Sequence, residues 1–264
     1  MPRSNSKDLT LPQFSASGSY RSMGEKTGER FKKMFRAQLA DAKSRFSSGA
    51  TGWEKATSAA AAHLPYSEEY TPDYLEFARG YAEGAGARFE DLYLLLSEDE
   101  KAQCTDILVN QDCTADGHTY SAHTEDWRPA SRDFVALINL RPKTGPSFSF
   151  VTHSGIEWIT GMNSAGLSVT GNSLYQNDTR LGTPKMMVAP KILMAKDMSG
   201  AIAAAIDPTK GSSYNFNIAH KSGEILCVEA SATDYAILYP TDGFLVHANF
   251  HVDSKMQRYE TAFG

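Results

Sequence analysis

The amino-acid sequence predicts an α+β fold, helical at the front and strand-rich behind. Three observations carry this reading. Apolar residues recur at helical spacing from about residue 19 to residue 96. From residue 105 onward, short β-branched and aromatic runs are separated by turn residues. A single return of helical spacing at 185–206 divides those runs into two clusters. Helices, strands, a helix pair and strands again are the order expected of helical layers packed outside sheets.

The first helix is predicted over 19–47, where Met23, Thr27, Phe31, Phe35, Ala42 and Phe46 recur with Lys and Arg between them. Gly24 and Gly28, four apart on it, predict close packing against a neighbour. A second helix is expected over 53–62. A third opens with Thr71 as N-cap, Pro72 and Asp73, runs to Glu83, and stops at Gly84-Ala85-Gly86. A fourth covers 90–96. Ser97 to Lys101 is polar and expected to be exposed.

Strands are predicted at Thr105–Asn110, Thr119–Ala122, Phe134–Leu140, Phe148–His153 and Leu167–Ser173. Asp116-Gly117 reads as a hairpin turn and Gly161–Gly166 as a turn between strands. The helical return is expected in two pieces broken near Ser199. Strands at Asn215–Ala219, Ile225–Glu229, Tyr235–Tyr239 and Phe244–Ala248 follow, with turns at Ser222-Gly223 and Asp242-Gly243.

Composition excludes several functions. The chain of 264 residues has a net charge of −5 and no basic stripe, which removes electrostatic support for a nucleic-acid partner. No apolar run approaches the roughly 20 residues that cross a bilayer, so no membrane partner is expected. The start, MPRSNSKDLT, lacks the apolar stretch of a secretory signal, and three cysteines are too few for a disulfide framework. An intracellular, cytoplasmic setting follows. There is no phosphate loop, dinucleotide fingerprint or HExxH, so no cofactor is expected. His118, His123, His247 and His251 invite a metal, but no His/Cys grouping has structural-zinc spacing, and no metal is expected.

Cys104 opens the first strong strand directly after the polar linker. Asp126 lies just past a predicted hairpin, in His123-Thr124-Glu125-Asp126-Trp127, so the chain can return beside Cys104. Asn249 ends a late strand. A cysteine, a carboxylate and an amide could form a nucleophilic site.

These residues carry a resemblance. Gly18–Gly24 with Gly28, Cys104-Thr105, His123–Trp127, Asn163–Leu167 through Asn172, and His247-Ala248-Asn249 occur in the order found in the cysteine-type N-terminal nucleophile (Ntn) hydrolases of peptidase family C45. That family is named for acyl-coenzyme A:6-aminopenicillanic acid acyltransferase, and the insect β-alanyl-amine hydrolases in it are also similar. The resemblance implies a four-layer αββα Ntn-hydrolase fold. It implies autocatalytic cleavage between Gln103 and Cys104, with Gln103 standing where the family's namesake has glycine. Residues 1–103 would become a helical α-subunit and 104–264 a strand-rich β-subunit, the two remaining together as a heterodimer. Cys104 would be the thiol nucleophile, Asp126 would hold the new α-amine, and Asn249 would donate to the oxyanion. Trp127, Asn172, His123 and Glu125 would contact substrate. The implied enzyme is an amidohydrolase or acyltransferase acting on a small amide or acyl thioester through a Cys104 thioester. The alternative is a shortened, inactive relative that binds or regulates. Family members continue past the block matching Asn249, so the fold is expected to be incomplete at the C-terminal end, where a peroxisomal signal would also lie.

Overall fold

Alternation of apolar and polar residues builds two sheets, and which parity faces which layer fixes where the site lies. The computed structural model describes residues 11–47, 52–97, 103–212 and 214–261. Strand β1 (Gln13–Gly18) leads into the long helix α1 (Tyr20–Ser47), followed by α2 (Trp53–Ala61), α3 (Leu64–Tyr70), α4 (Pro72–Ala85) and α5 (Phe89–Ser97). Strands β2 (Gln103–Val109) and β3 (Tyr120–Asp126) form a hairpin-like pair. Then come β4 (Val135–Pro142), β5 (Phe148–His153), β6 (Thr160–Asn163) and β7 (Leu167–Asn172). Helices α6 (Lys185–Leu193) and α7 (Met198–Ala205) precede β8 (Tyr214–His220), β9 (Ile225–Ala230), β10 (Tyr235–Leu238) and β11 (Phe244–His247).

The larger sheet has eight strands in the order β1-β4-β5-β6-β7-β8-β9-β10, and the smaller has three, β11-β2-β3. Every pairing is antiparallel except β1 with β4, where Gln13 faces Leu137 and Gly18 faces Pro142. Central strands β8, up to its last residue His220, and β9 are buried, as strands covered on both faces must be. Phe216, Ile218 and Val228 face the helices, within the core that holds Phe31, Phe77, Tyr81 and Ile192. Ala219, Ile225 and Cys227 face the small sheet, where they meet Leu108 and Leu245.

Trp158 anchors the helical side. Its ring lies 4.9 Å from that of Tyr74, 4.7 Å from Phe77 and 5.2 Å from Phe150, the edge and tilted geometries that aromatic quadrupoles favour. Helices α1 and α4 touch backbone to backbone. A Cβ at Gly24 would collide with the carbonyl oxygen of Phe77, one at Gly28 with that of Tyr81, and one at Gly80 with that of Arg21. The close packing expected of Gly24 and Gly28 is what the helix pair shows.

Three layers, helix, sheet and sheet, are formed by the described residues, a mixed helix-and-sheet architecture with the αββ part of the expected order. The outer face of the small sheet is open: Ile107, Tyr120, Phe244 and Val246 are 43–58% exposed. No helix among the described residues is long and apolar enough to cross a membrane.

Several elements differ from expectation. β1, α3 and β6 were not anticipated; β6 occupies the start of the segment read as a turn. The helical return is in two pieces as expected, and the break falls just before Met198, where the Asp197 side chain accepts from Gly200 N at 2.8 Å and caps α7. The polar linker falls largely outside the described residues, at 98–102. The longest correction is in β3, expected to end at Ala122. It continues to Asp126, which makes the side-chain direction of Asp126 a matter of strand parity.

Candidate active site

Strand β2 buries Cys104, Asp106 and Leu108 and exposes the alternate residues Gln103, Thr105 and Ile107. Residues directly opposite one another in an antiparallel pair share a face. On β3 the partners of Cys104 and Asp106 are Glu125 and His123, and on β11 the partner of Asp106 is His247. Two residues beyond His247 the same parity brings Asn249 beside Cys104. The inner face therefore carries two rungs, Asn249–Cys104–Glu125 and His247–Asp106–His123, pressed toward β7 and β8.

The contacts within and between these rungs are short. Cys104 N donates to Asn249 Oδ1 at 2.6 Å, and Asn249 Nδ2 donates to the Ser173 carbonyl at 2.9 Å. Cys104 Sγ lies 3.8 Å from Glu125 Oε1. His123 bridges two carboxylates, with Nδ1 3.0 Å from Asp106 Oδ1 and Nε2 2.9 Å from Glu125 Oε2. Both ring nitrogens can donate at once only in the imidazolium.

Burial and charge tune these groups in opposite directions. Burial first, then the Glu125 and Asp106 charges, push the Cys104 thiol up to about 12, against hydrogen bonds from the Ser173 backbone and the Asn249 side chain that pull it down. Burial by itself would lower the His123 imidazole. The hydrogen bonds and charges of Asp106 and Glu125 outweigh it and raise the group to about 9. Burial and the neighbouring acids thus favour the protonated Cys104 thiol, and the same two acids favour the protonated His123 imidazole beside it.

A cavity of about 290 Å³ opens against these groups. His123 and Glu125 supply its polar end. Trp127, Val151, Ile159 and Tyr214 supply apolar walls, and Lys185 and Ser173 close one side. Lys185 is buried and donates from Nζ to Ser173 Oγ at 3.2 Å.

Of the residues singled out in the sequence, Cys104, Asn249, Glu125 and His123 are brought together, and Trp127 lines the adjoining cavity. Asp126 is not brought to the thiol. It pairs with Gln103, so both belong to the outer face, and Asp126 is exposed. Asn172 lies in a buried amide cluster, its Oδ1 accepting from Asn215 Nδ2 at 2.9 Å and from Asn217 Nδ2 at 3.2 Å, away from the cavity lining. His247 and His251 go to separate carboxylates, Glu229 at 2.8 Å and Glu260 at 3.6 Å. His118 joins no donor group among the described residues. The donor atoms that do converge are those of Cys104, His123 and Glu125, all within 4.8 Å of one another. Sequence reasoning passed over Asp106, Ser173 and Lys185. For Asp106 a signal was present: an acid of the same parity as Cys104 and Leu108 in an apolar strand must be buried, and a buried acid needs a partner.

Residues 113–264 match the family model described as acyl-coenzyme A:6-aminopenicillanic acid acyl-transferase. Among solved structures, the chain is similar to a Caenorhabditis elegans ortholog of N-acylethanolamine-hydrolyzing acid amidase, at 15% identity and TM-score 0.48, over 59% of this chain and 73% of that one. It is also similar to a mutant conjugated bile acid hydrolase from Clostridium perfringens (11%, TM-score 0.41, 58% and 54%) and to penicillin V acylase from Agrobacterium tumefaciens (14%, TM-score 0.29, 54% and 44%). The match thus spans about half the length of the latter two proteins.

Proposed function

The chain belongs to the acyl-coenzyme A:6-aminopenicillanic acid acyl-transferase family, a family of the Ntn type, and on that premise we propose that it is an amidohydrolase or acyltransferase whose nucleophile is the thiol of Cys104 after cleavage of the Gln103–Cys104 bond. The observation that carries this reading is the hydrogen bond from Cys104 N to Asn249 Oδ1. The atom that would become an α-amine is already held at the site, on the residue whose thiol is buried beside a cavity.

In the cleavage step the thiol adds to the Gln103 carbonyl carbon. The C–N bond to Cys104 breaks, the nitrogen takes a proton and becomes the α-amine, and Gln103 is left as a thioester. Water then adds to that thioester and releases the Gln103 carboxylate and the thiol. Residues 1–103 and 104–264 become two subunits of one heterodimer. Release of Gln103 also removes the residue registered opposite Asp126, and the exposed Asp126 would then have to turn from the outer face to reach the new amine.

In turnover the α-amine takes the thiol proton, directly or through a water, close to neutral pH. The thiolate attacks a small amide or acyl thioester, and Asn249 Nδ2 donates to the oxyanion. A donor of this kind contributes about 2.7–4 kcal/mol of barrier lowering. The apolar walls of Trp127, Val151 and Tyr214 receive the acyl portion, and His123 and Glu125 face the scissile bond. The acyl-enzyme passes its acyl group to water or to an amine.

Intact mass of the purified protein under denaturing conditions tests the reading. Two pieces are expected, one beginning at Cys104, and a single chain is expected for Cys104→Ala. A wild-type chain that stays whole and hydrolyses no N-acyl amine would overturn the proposal and favour a non-catalytic relative. Splitting that persists in Cys104→Ala would overturn the self-cleavage.

A further inference from the structure

Cys104, His123 and Glu125 offer one sulfur, one imidazole nitrogen and one carboxylate oxygen, the three donor types of protein zinc sites. Zinc bonds of about 2.0–2.3 Å at tetrahedral angles separate neighbouring donors by roughly 3.3–3.8 Å. The observed separations lie on either side of that range: Sγ is 3.8 Å from one Glu125 oxygen, Oε1, His123 Nε2 is 2.9 Å from the other, Oε2, and with one donor atom taken from each residue all three fit within 4.8 Å, so a small adjustment of the Glu125 carboxylate and the thiol completes the set.

A second, independent feature points the same way. The other ring nitrogen of His123 is held at 3.0 Å by Asp106, whose side chain is fully buried. A carboxylate on the far nitrogen fixes the ring and makes Nε2 the better ligand, the arrangement found behind histidines that bind zinc. All three donors sit on two paired strands, at registered positions, so little ordering is left to be done on binding. The cavity beside His123 and Glu125 gives the ion an entry path and leaves room for a water as fourth ligand.

We propose that this trio is a zinc site that locks the nucleophile. Zinc would bond to Sγ, Nε2 and a Glu125 oxygen. The thiol proton and the proton between Nε2 and Oε2 would leave to solvent, and no oxidant or reductant is involved. The bound thiolate could then attack neither the Gln103 carbonyl nor a substrate. Binding itself does not depend on the catalytic proposal; the block on the nucleophile does.

The test is a titration of the full chain, carrying Cys113→Ser to remove the exposed thiol, with Co²⁺ as a spectroscopic substitute and Zn²⁺ as competitor. One equivalent of Co²⁺ is expected to give a thiolate-to-cobalt charge-transfer band that Zn²⁺ abolishes. The band should vanish in Cys104→Ala. Asp106→Asn should keep the band but weaken affinity about 10–100-fold, as loss of an outer-shell partner does. Should either variant misfold, Zn²⁺ protection of Cys104 from alkylation in the otherwise unaltered chain, read by peptide mass, replaces it; at least tenfold slowing is expected. No charge-transfer band, a band that survives Cys104→Ala, or alkylation of Cys104 unaffected by saturating Zn²⁺ would each overturn the site. Zinc binding by a chain that stays unsplit and inactive after the metal has been removed by a chelator would leave the metal site standing and refute only the catalytic proposal.

Discussion

Replacing Glu125 by Gln should make the Cys104 thiol of the uncleaved chain more acidic, and the size of the effect can be worked from the geometry. The thiol is pushed up to about 12, so at pH 8 only about one molecule in ten thousand carries the thiolate. A carboxylate oxygen 3.8 Å from Sγ opposes that thiolate by about 4 kcal/mol if the effective dielectric constant is near 20. Two things reduce the net gain from removing it. Glu125 is partly exposed, and its charge is shared with the His123 imidazolium at 2.9 Å, a cation that Glu125 itself helps to keep protonated. One to two pKa units remain, equivalent to an increase of about 10- to 100-fold in thiolate at a given pH. Burial, the larger cause, is untouched by the substitution, so the variant should not reach the ordinary thiol value. The assay is iodoacetamide alkylation of Cys104 in metal-free protein carrying Cys113→Ser, followed across pH 7–10 by the mass of the peptide that still joins Gln103 to Cys104, which reports the uncleaved chain alone. Thiolate absorbance over the same range reads ionisation independently of access. An unchanged or slower rate, with an unmoved absorbance midpoint, would refute the assignment of Glu125 as the charge that holds the thiol protonated.

Two further outcomes follow from other parts of the fold. Gly80→Ala adds a methyl that meets the carbonyl of Arg21 across the α1–α4 contact. The backbones must separate, and the cost should fall at or above the upper end of the 1–3 kcal/mol typical of overpacking, beyond the roughly 1 kcal/mol that Ala gains over Gly in a helix. A urea midpoint that is unchanged or raised would show that the helices do not touch there. Lys210 is buried, donates to the Asp207 carbonyl at 2.7 Å, and is lowered to about 8, chiefly by burial and further by Arg180. Between that value and the 10.5 of an unhindered lysine the unfolded chain binds the proton more than the folded one does, so this group makes stability rise with pH across that window. The gain is up to about 3 kcal/mol, and Lys210→Met should lack it; parallel pH responses of the two proteins would refute the burial argument.

How much of this was legible in the sequence depended on whether the governing interaction was local. Helix α1, the Pro72 start and Gly86 stop of α4, and the positive φ of Asp242 and Gly243 are set by neighbours in the chain, and each was readable. β1 was not, because its partner β4 lies more than a hundred residues on and nothing in Gln13–Gly18 announces it. The site shows the same division. Cys104 and Asn249 could be named from residue type and the ends of strong strands. The choice between Glu125 and Asp126 could not, since adjacent strand residues point to opposite faces and a one-residue change of register exchanges them. The chain between Val109 and Tyr120 includes a short 3₁₀ turn at Gln111–Cys113 that fixes that register. Its length gave no way to count it in advance.

The parallel pairing of β1 with β4 has a consequence for what becomes of the chain once it is in two parts. A break before Cys104 would leave one fragment carrying β1 and α1 to α5, and the other carrying all the remaining strands. The first would contribute an edge strand to a sheet owned by the second, and a helical face without which Ile138, Phe150 and Trp158 lose their cover. In the folded state the two fragments would hold each other at an effective concentration far above any reached in solution. On melting that advantage would vanish, and reassembly would become a second-order encounter. Folding would thus be a unimolecular event completed once, before the break, and the durability of the split protein would be governed by how slowly it opens rather than by how favourably it closes.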